Sequence, residues 1–145
     1  MNIVFAVQIV IGAVVLTWAT IHDVRHYTIP VYVFLLGVVA GLAAALVFHG
    51  WHGLLLSAIG GTLGGLLGWV LVRMTRLGEG DALLFLALGV TFGSALILYI
   101  FIWSNILVLL RFAVPVLKKR KIRIAVAPYI LVGTFLALLI PTHFY

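Results

Sequence analysis

Three stretches of this chain, residues 1–22, 26–72 and 82–110, contain no Lys, Arg, Asp or Glu. Few folds accept runs of that kind. A helix that crosses the roughly 30 Å hydrocarbon core of a bilayer needs about 20 apolar residues. In lipid, backbone polar groups must be satisfied within a helix or a closed barrel. No stretch alternates polar and apolar residues as barrel strands do, so helices remain. The whole chain of 145 residues is 66% hydrophobic and 8% charged. Soluble domains run at about 45–50% and about 25%. The sequence predicts an all-α, polytopic integral membrane protein. Its length admits at most roughly six or seven passes and leaves no room for a separate soluble domain, so 1–145 reads as a single membrane-embedded domain.

Polar punctuation predicts six helices. The first covers about 2–21, with Gln8 and Thr17 as mild polar interruptions. Its N-terminus lacks a basic region, and its apolar run is too long for a signal-peptide core, so it is expected to be a retained helix. The polar segment His22-Asp23-Val24-Arg25-His26-Tyr27 follows, and Pro30 starts helix two, which runs to about 48. A turn at 49–53 leads to helix three, about 54–72. There Gly60, Gly61, Gly64, Gly65 and Gly68 give overlapping GxxxG spacings that let backbones approach closely. Residues 82–117 are too long for one pass and are divided near Gly93-Ser94 into helix four (about 82–92) and helix five (about 95–114). Helix four is short. At about 1.5 Å per residue it does not span the core alone. Either its boundary lies later, or it sits below a thinned or protein-lined surface. Helix six covers about 124–139, with Pro128 in its first turns.

Charge supports six passes. The Lys and Arg residues fall at 25, 73, 76, 111, 118–121 and 123. With six helices all of them lie on one side, which the positive-inside rule makes cytoplasmic. Both termini are then expected outside. The basic run 118–123 reads as a topology determinant, or as a contact for anionic lipid headgroups. Nucleic acid is not an expected partner, for want of an aromatic-interleaved soluble module. With no cysteine, thiolate metal sites and cysteine nucleophiles are excluded. His49 and His52 lie on the face opposite the acids, so no metal site and no cofactor is expected.

The acids are only Asp23, Glu79 and Asp81. Two passes separate Asp23 from Asp81, which returns both to the same face. Two neighbouring carboxyls share a proton and titrate as a pair. The ionised member takes a proton from water, while the protonated one polarises a carbonyl and later protonates a leaving amine. Gly78 and Gly80 let the backbone around Glu79 turn sharply. Asp81 then opens helix four, whose free N–H groups favour a carboxylate. The plainer alternative makes Asp81 a helix cap and Asp23 a surface loop residue.

Order and spacing also carry a family resemblance. Asp23 to Ile29-Pro30 resembles the aspartate-to-Ile-Pro segment of type IV prepilin peptidases. Gly78-Glu79-Gly80-Asp81 resembles their GxGD motif, and Ala127-Pro128-Tyr129 their Pro-rich start of the last helix. The resemblance implies an aspartic endopeptidase of the cell membrane that removes the basic leader from prepilins or pilin-like secretion subunits, cutting after a glycine at the cytoplasmic face. Asp23 and Asp81 correspond to the family's catalytic pair. Val31 stands where the family often has Asn, and Leu83 and Leu84 where it often has Lys. The cysteine-containing methylating domain of longer members is missing, so the resemblance implies peptidase activity without methylation. Glu79 is either a tuning or substrate-contacting acid or a solvated one. His22 and His26 read as interfacial. Gly64 and Gly68 either pack helices or line a groove for the substrate helix. The competing function is a small non-enzymatic transporter or assembly factor whose carboxylates bind protons or cations.

Overall fold

A computed structural model describes residues 3–75, 78–117 and 125–139, and these are helical apart from short connections. The four continuous elements are α1 (Ile3–His26), α2 (Val31–Thr75), α3 (Glu79–Leu117) and α4 (Ala127–Leu139). Arg76, the basic run 118–123 and the tail after Ile140 lie outside the described residues.

Two of the four helices are broken. In α2 the backbone leaves helical geometry at Gly50 (φ 58°, ψ −145°), and in α3 at Gly93 (φ 80°, ψ 179°). Positive φ is cheap only for glycine, so the sequence marks both breaks. One falls inside the turn expected at 49–53, the other at the division expected near Gly93-Ser94. The described residues therefore form six helical rods: α1, 31–49, 51–75, 79–92, 94–117 and α4.

Close contacts give the direction of each rod. Gly37 lies beside Ala87, and Gly41 beside Val90 and Thr91. Rod 31–49 thus runs parallel to 79–92. Gly60 meets Gly89, Gly64 meets Phe85, and Gly68 meets Ala82. Those numbers run in opposite senses, so 51–75 is antiparallel to 79–92. The Phe85 and Phe101 rings pack edge to face with centroids 5.2 Å apart, which folds 94–117 back along the same rod. Gly12 against Phe92 sets α1 antiparallel to it. Gly133 packs against Ser104, bringing α4 onto the second half of α3. Successive rods alternate in direction. The connection 27–30, the end of rod 51–75, the start of rod 79–92 and the start of α4 gather at one end of the bundle, with Gly50 and Gly93 at the other.

The short rod resolves the question left by its length. Residues 79–92 are roughly 21 Å long at 1.5 Å per residue, and the boundary does not move later than Gly93. The rod is wrapped by α1, both halves of α2 and the second half of α3. Leu84, Phe85, Ala87, Leu88, Val90 and Phe92 are all buried. Protein, not lipid, surrounds it. The long rods carry the apolar exterior instead: Val10, Val14, Val39, Leu56, Ile59 and Leu109 are all exposed. A helix apolar on both faces suits a lipid solvent. By length and composition α1, 31–73 of α2 and 79–111 of α3 are each long and apolar enough to cross a membrane, and α4 is a shorter apolar helix.

Gly64 and Gly68 have a settled place here. Both are buried, with the backbone of α3 where a side chain would stand. In the bundle they pack helix against helix, the alternative the sequence also allowed. The contact at Gly60 is reciprocal, because a Cβ added to its counterpart Gly89 would in turn meet the Gly60 backbone. A Gly60→Val or Gly89→Val protein is expected to lose most of its folded yield in detergent. Gly78→Ala, where an added Cβ comes no closer than 3.8 Å to Asp81, is expected to leave yield and melting temperature unchanged. Size-exclusion profiles and thermal melts check both.

Candidate active site

Asp23 is carried by a helix, not a loop. The expected end of helix one was residue 21, but α1 continues to His26. Its last turn is closed by the Tyr27 N–H donating to the Asp23 carbonyl at 2.8 Å. Tyr27 itself takes a left-handed conformation (φ 53°), the geometry that commonly terminates helices. His22 then pins the turn, its Nδ1 donating to the Thr28 carbonyl at 2.8 Å. The helix extends past its apolar run because these local bonds outweigh the polarity of 22–26. As a result Asp23 points inward and is only 4% exposed.

A buried carboxylate needs donors, and α4 supplies one. The Ala127 N–H donates to Asp23 Oδ2 at 3.0 Å, across 104 positions of sequence. Val126 adds a second backbone N–H. Pro128 has no N–H to offer, and the N–H groups of Tyr129 and Ile130 are taken by the Val126 carbonyl. Asp23 thereby serves as a cap for a helix it does not belong to, at the positive end of that helix's dipole. The sequence reading missed this. Pro128 signalled the start of a helix, but no residue pattern announces which side chain will cap it.

Asp81 is 6% exposed and sits in the first turn of α3, two residues inside its start at Glu79. It does not open the helix, as had been expected. Its N–H donates to the Gly78 carbonyl at 3.1 Å, and the Gly78 N–H donates back to its carboxyl group. The acid at the third helical position thus plays one half of a capping box, the glycine having no side chain to supply the other. The two carboxyl groups lie near enough for the charge on Asp23 to act on Asp81. Both carboxyls thus lie buried at the same end of the bundle, each held by different backbone donors.

Neither Gly78 nor Gly80 has positive φ, so no sharp turn depends on them. Gly80 is needed for proximity: a Cβ there would stand 3.1 Å from the Ile29 Cβ. The Ile29-Pro30 segment leans on the first turn of α3 at this point. Pro30 directly precedes α2, and its carbonyl accepts from the Val33 N–H at 3.1 Å. Glu79 is exposed at the same end. His22 and His26 stack on each other with ring centroids 4.5 Å apart. Among the described residues no group of three or more His, Asp or Glu side chains gathers as metal ligands would.

An apolar helical bundle with long membrane-length helices and two buried carboxyls at one end defines the class of helical membrane proteins. The chain belongs to the type IV leader peptidase family, whose model matches residues 10–113. The protein is therefore a peptidase. The matched region carries Asp23, Pro30, the Gly78–Asp81 turn and the central rod, and it ends before α4. No curated protein and no solved structure matches the chain significantly.

Removing the Asp23 carboxylate leaves the buried Ala127 N–H without an acceptor, at a cost of about 1–3 kcal/mol. Asp23→Ala is expected to lower the melting temperature in detergent by several degrees. Asp23→Asn, which keeps an acceptor oxygen, is expected to stay near wild type. Thermal melts of the two purified variants side by side decide the point.

Proposed function

We propose that this protein is an aspartic endopeptidase that removes the basic leader from type IV prepilins or pilin-like secretion subunits, with Asp23 and Asp81 as its catalytic pair. The observation that carries the reading is that two buried carboxyls, from helices remote in sequence, lie at the same end of the bundle. One ionised carboxylate activates a water, and the protonated partner polarises the scissile carbonyl and then protonates the departing amine. Burial keeps bulk water from competing and strengthens each charge interaction. The differing backbone donors of the two acids favour a division of roles between them.

The membrane arrangement belongs to the same proposal. The six rods cross the bilayer, or in the case of 79–92 fill its protein-lined centre. Both termini face outward, and the acid end lies at the cytoplasmic face of the cell membrane beside the basic loops. Glu79, exposed beside the site, is placed to meet a basic leader. The basic run 118–123 rests on anionic lipid headgroups.

Co-expression with pilin-like precursors from the same genome tests the activity. Wild type is expected to shorten the precursor by the mass of its leader. Asp23→Asn and Asp81→Asn are each expected to reduce cleavage by at least about 10³-fold, the scale of losing one member of a catalytic unit, while still inserting in the membrane. Equal precursor masses with wild type and Asp81→Asn overturn the reading. A reporter fused after Tyr145 is expected to give an external signal, and a cytoplasmic signal breaks the six-pass arrangement.

A further inference from the structure

The two acids stand on different helices, and the short connection 27–30 runs close to both. Backbone bonds fix its ends. The Tyr27 N–H bonds back to the Asp23 carbonyl, and the Pro30 carbonyl accepts from the Val33 N–H of α2. A side chain fixes its middle. His22 Nδ1 donates to the Thr28 carbonyl at 2.8 Å, six residues ahead. A carbonyl only accepts, so a neutral imidazole must carry its proton on Nδ1 here.

That bond is a link in a short path between the carboxyls. His22 directly precedes Asp23 near the end of α1. Thr28 directly precedes Ile29, and Ile29 packs on Gly80. A Cβ added to Gly80 would stand 3.1 Å from the Ile29 Cβ and 3.5 Å from its Cγ1 and its backbone N. Gly80 directly precedes Asp81 in the first turn of α3. The path thus runs Asp23, His22, Thr28, Ile29, Gly80, Asp81, through peptide bonds, one hydrogen bond and one van der Waals contact. Tyr27 and Thr28 are exposed, so water is free to take the place of the imidazole at the Thr28 carbonyl. The fold does not need this bond to satisfy a buried group. What the bond adds is a fixed place for Ile29.

We propose that His22 is a positioning residue for the acid pair. Through Thr28 and Ile29 it sets where the first turn of α3, and with it Asp81, stands relative to Asp23. It acts through the connection and not on the substrate. This inference rests on the peptidase function proposed above and names what keeps its two acids in register. The imidazole also lies near enough for a charge on it to act on Asp23. Charge and hydrogen bond are separable, because asparagine keeps a donor there and carries no charge.

Without the bond both acids stay buried but their spacing is no longer fixed, so the loss falls on kcat more than on KM. In purified enzyme cleaving a same-genome precursor, His22→Leu is expected to lower kcat by about 10- to 100-fold, the scale of a reacting group displaced by up to about 1 Å. KM should stay within about twofold, and His22→Asn should keep kcat within about threefold of wild type. The spacing is also read directly. The chain has no cysteine, so spin labels on Val24→Cys and Glu79→Cys, both exposed positions, report the distance between the two acid-bearing turns. The distance distribution is expected to broaden or shift in His22→Leu and to match wild type in His22→Asn. An unchanged kcat or an unchanged distance distribution in His22→Leu overturns the inference. So does a rate loss that His22→Asn shares, which marks a role for the charge of the imidazole. If wild type cleaves and Asp81→Asn does not, each of these results leaves the peptidase function standing. A wild type that leaves the precursor whole brings down that function, and the inference with it.

Discussion

The bundle depends on one close approach, the backbone of 51–75 against the backbone of 79–92. Gly60 and Gly89 face each other there, and an added Cβ on either would collide with the other's main chain. In lipid no hydrophobic force draws helices together, so van der Waals contact at short range has to do it. Glycines on α2 provide that contact along most of the short rod. The rod can then be shorter than a bilayer is thick, because its ends touch protein. With the rod held in the centre, its first turn lies beside the end of α1. The site follows from that packing.

Helices, rather than loops, present both carboxylates. Asp23 stands in the last turn of α1 and Asp81 in the first turn of α3, so their positions inherit the rigidity of the bundle. Each acid is also written into the stability of the fold, Asp23 by capping α4 and Asp81 by closing the start of α3. The same residues thus hold the structure together and supply its candidate chemistry. Sites built on helices hold their geometry better than sites on mobile loops.

Much of the architecture was legible because lipid leaves a chain few choices. Long uncharged runs forced helices. Gly50 and Gly93 stood where the chain had to reverse, and only glycine takes those backbone angles easily. Pro128 marked the start of the last helix. Helix ends were harder to read. Polarity suggested that α1 stops at residue 21, whereas its backbone bonds carry it to His26, and this turned Asp23 from a loop residue into a buried one. The start of α3 lay earlier than expected for a similar reason, since Gly78 and Asp81 bond reciprocally and admit Glu79 and Gly80 to the helix.

The sequence by itself determined an apolar all-helical chain, its two reversals and a pair of acids an even number of rods apart. Composition and local backbone preference suffice for those, because each is decided within a few residues. Only the tertiary structure decided that the shortest rod is the centre, that Gly64 and Gly68 lie beneath it, and that α4 reaches back to Asp23. Those depend on contacts between residues as far apart as 23 and 127. No local pattern encodes which backbone amide a buried carboxylate will find.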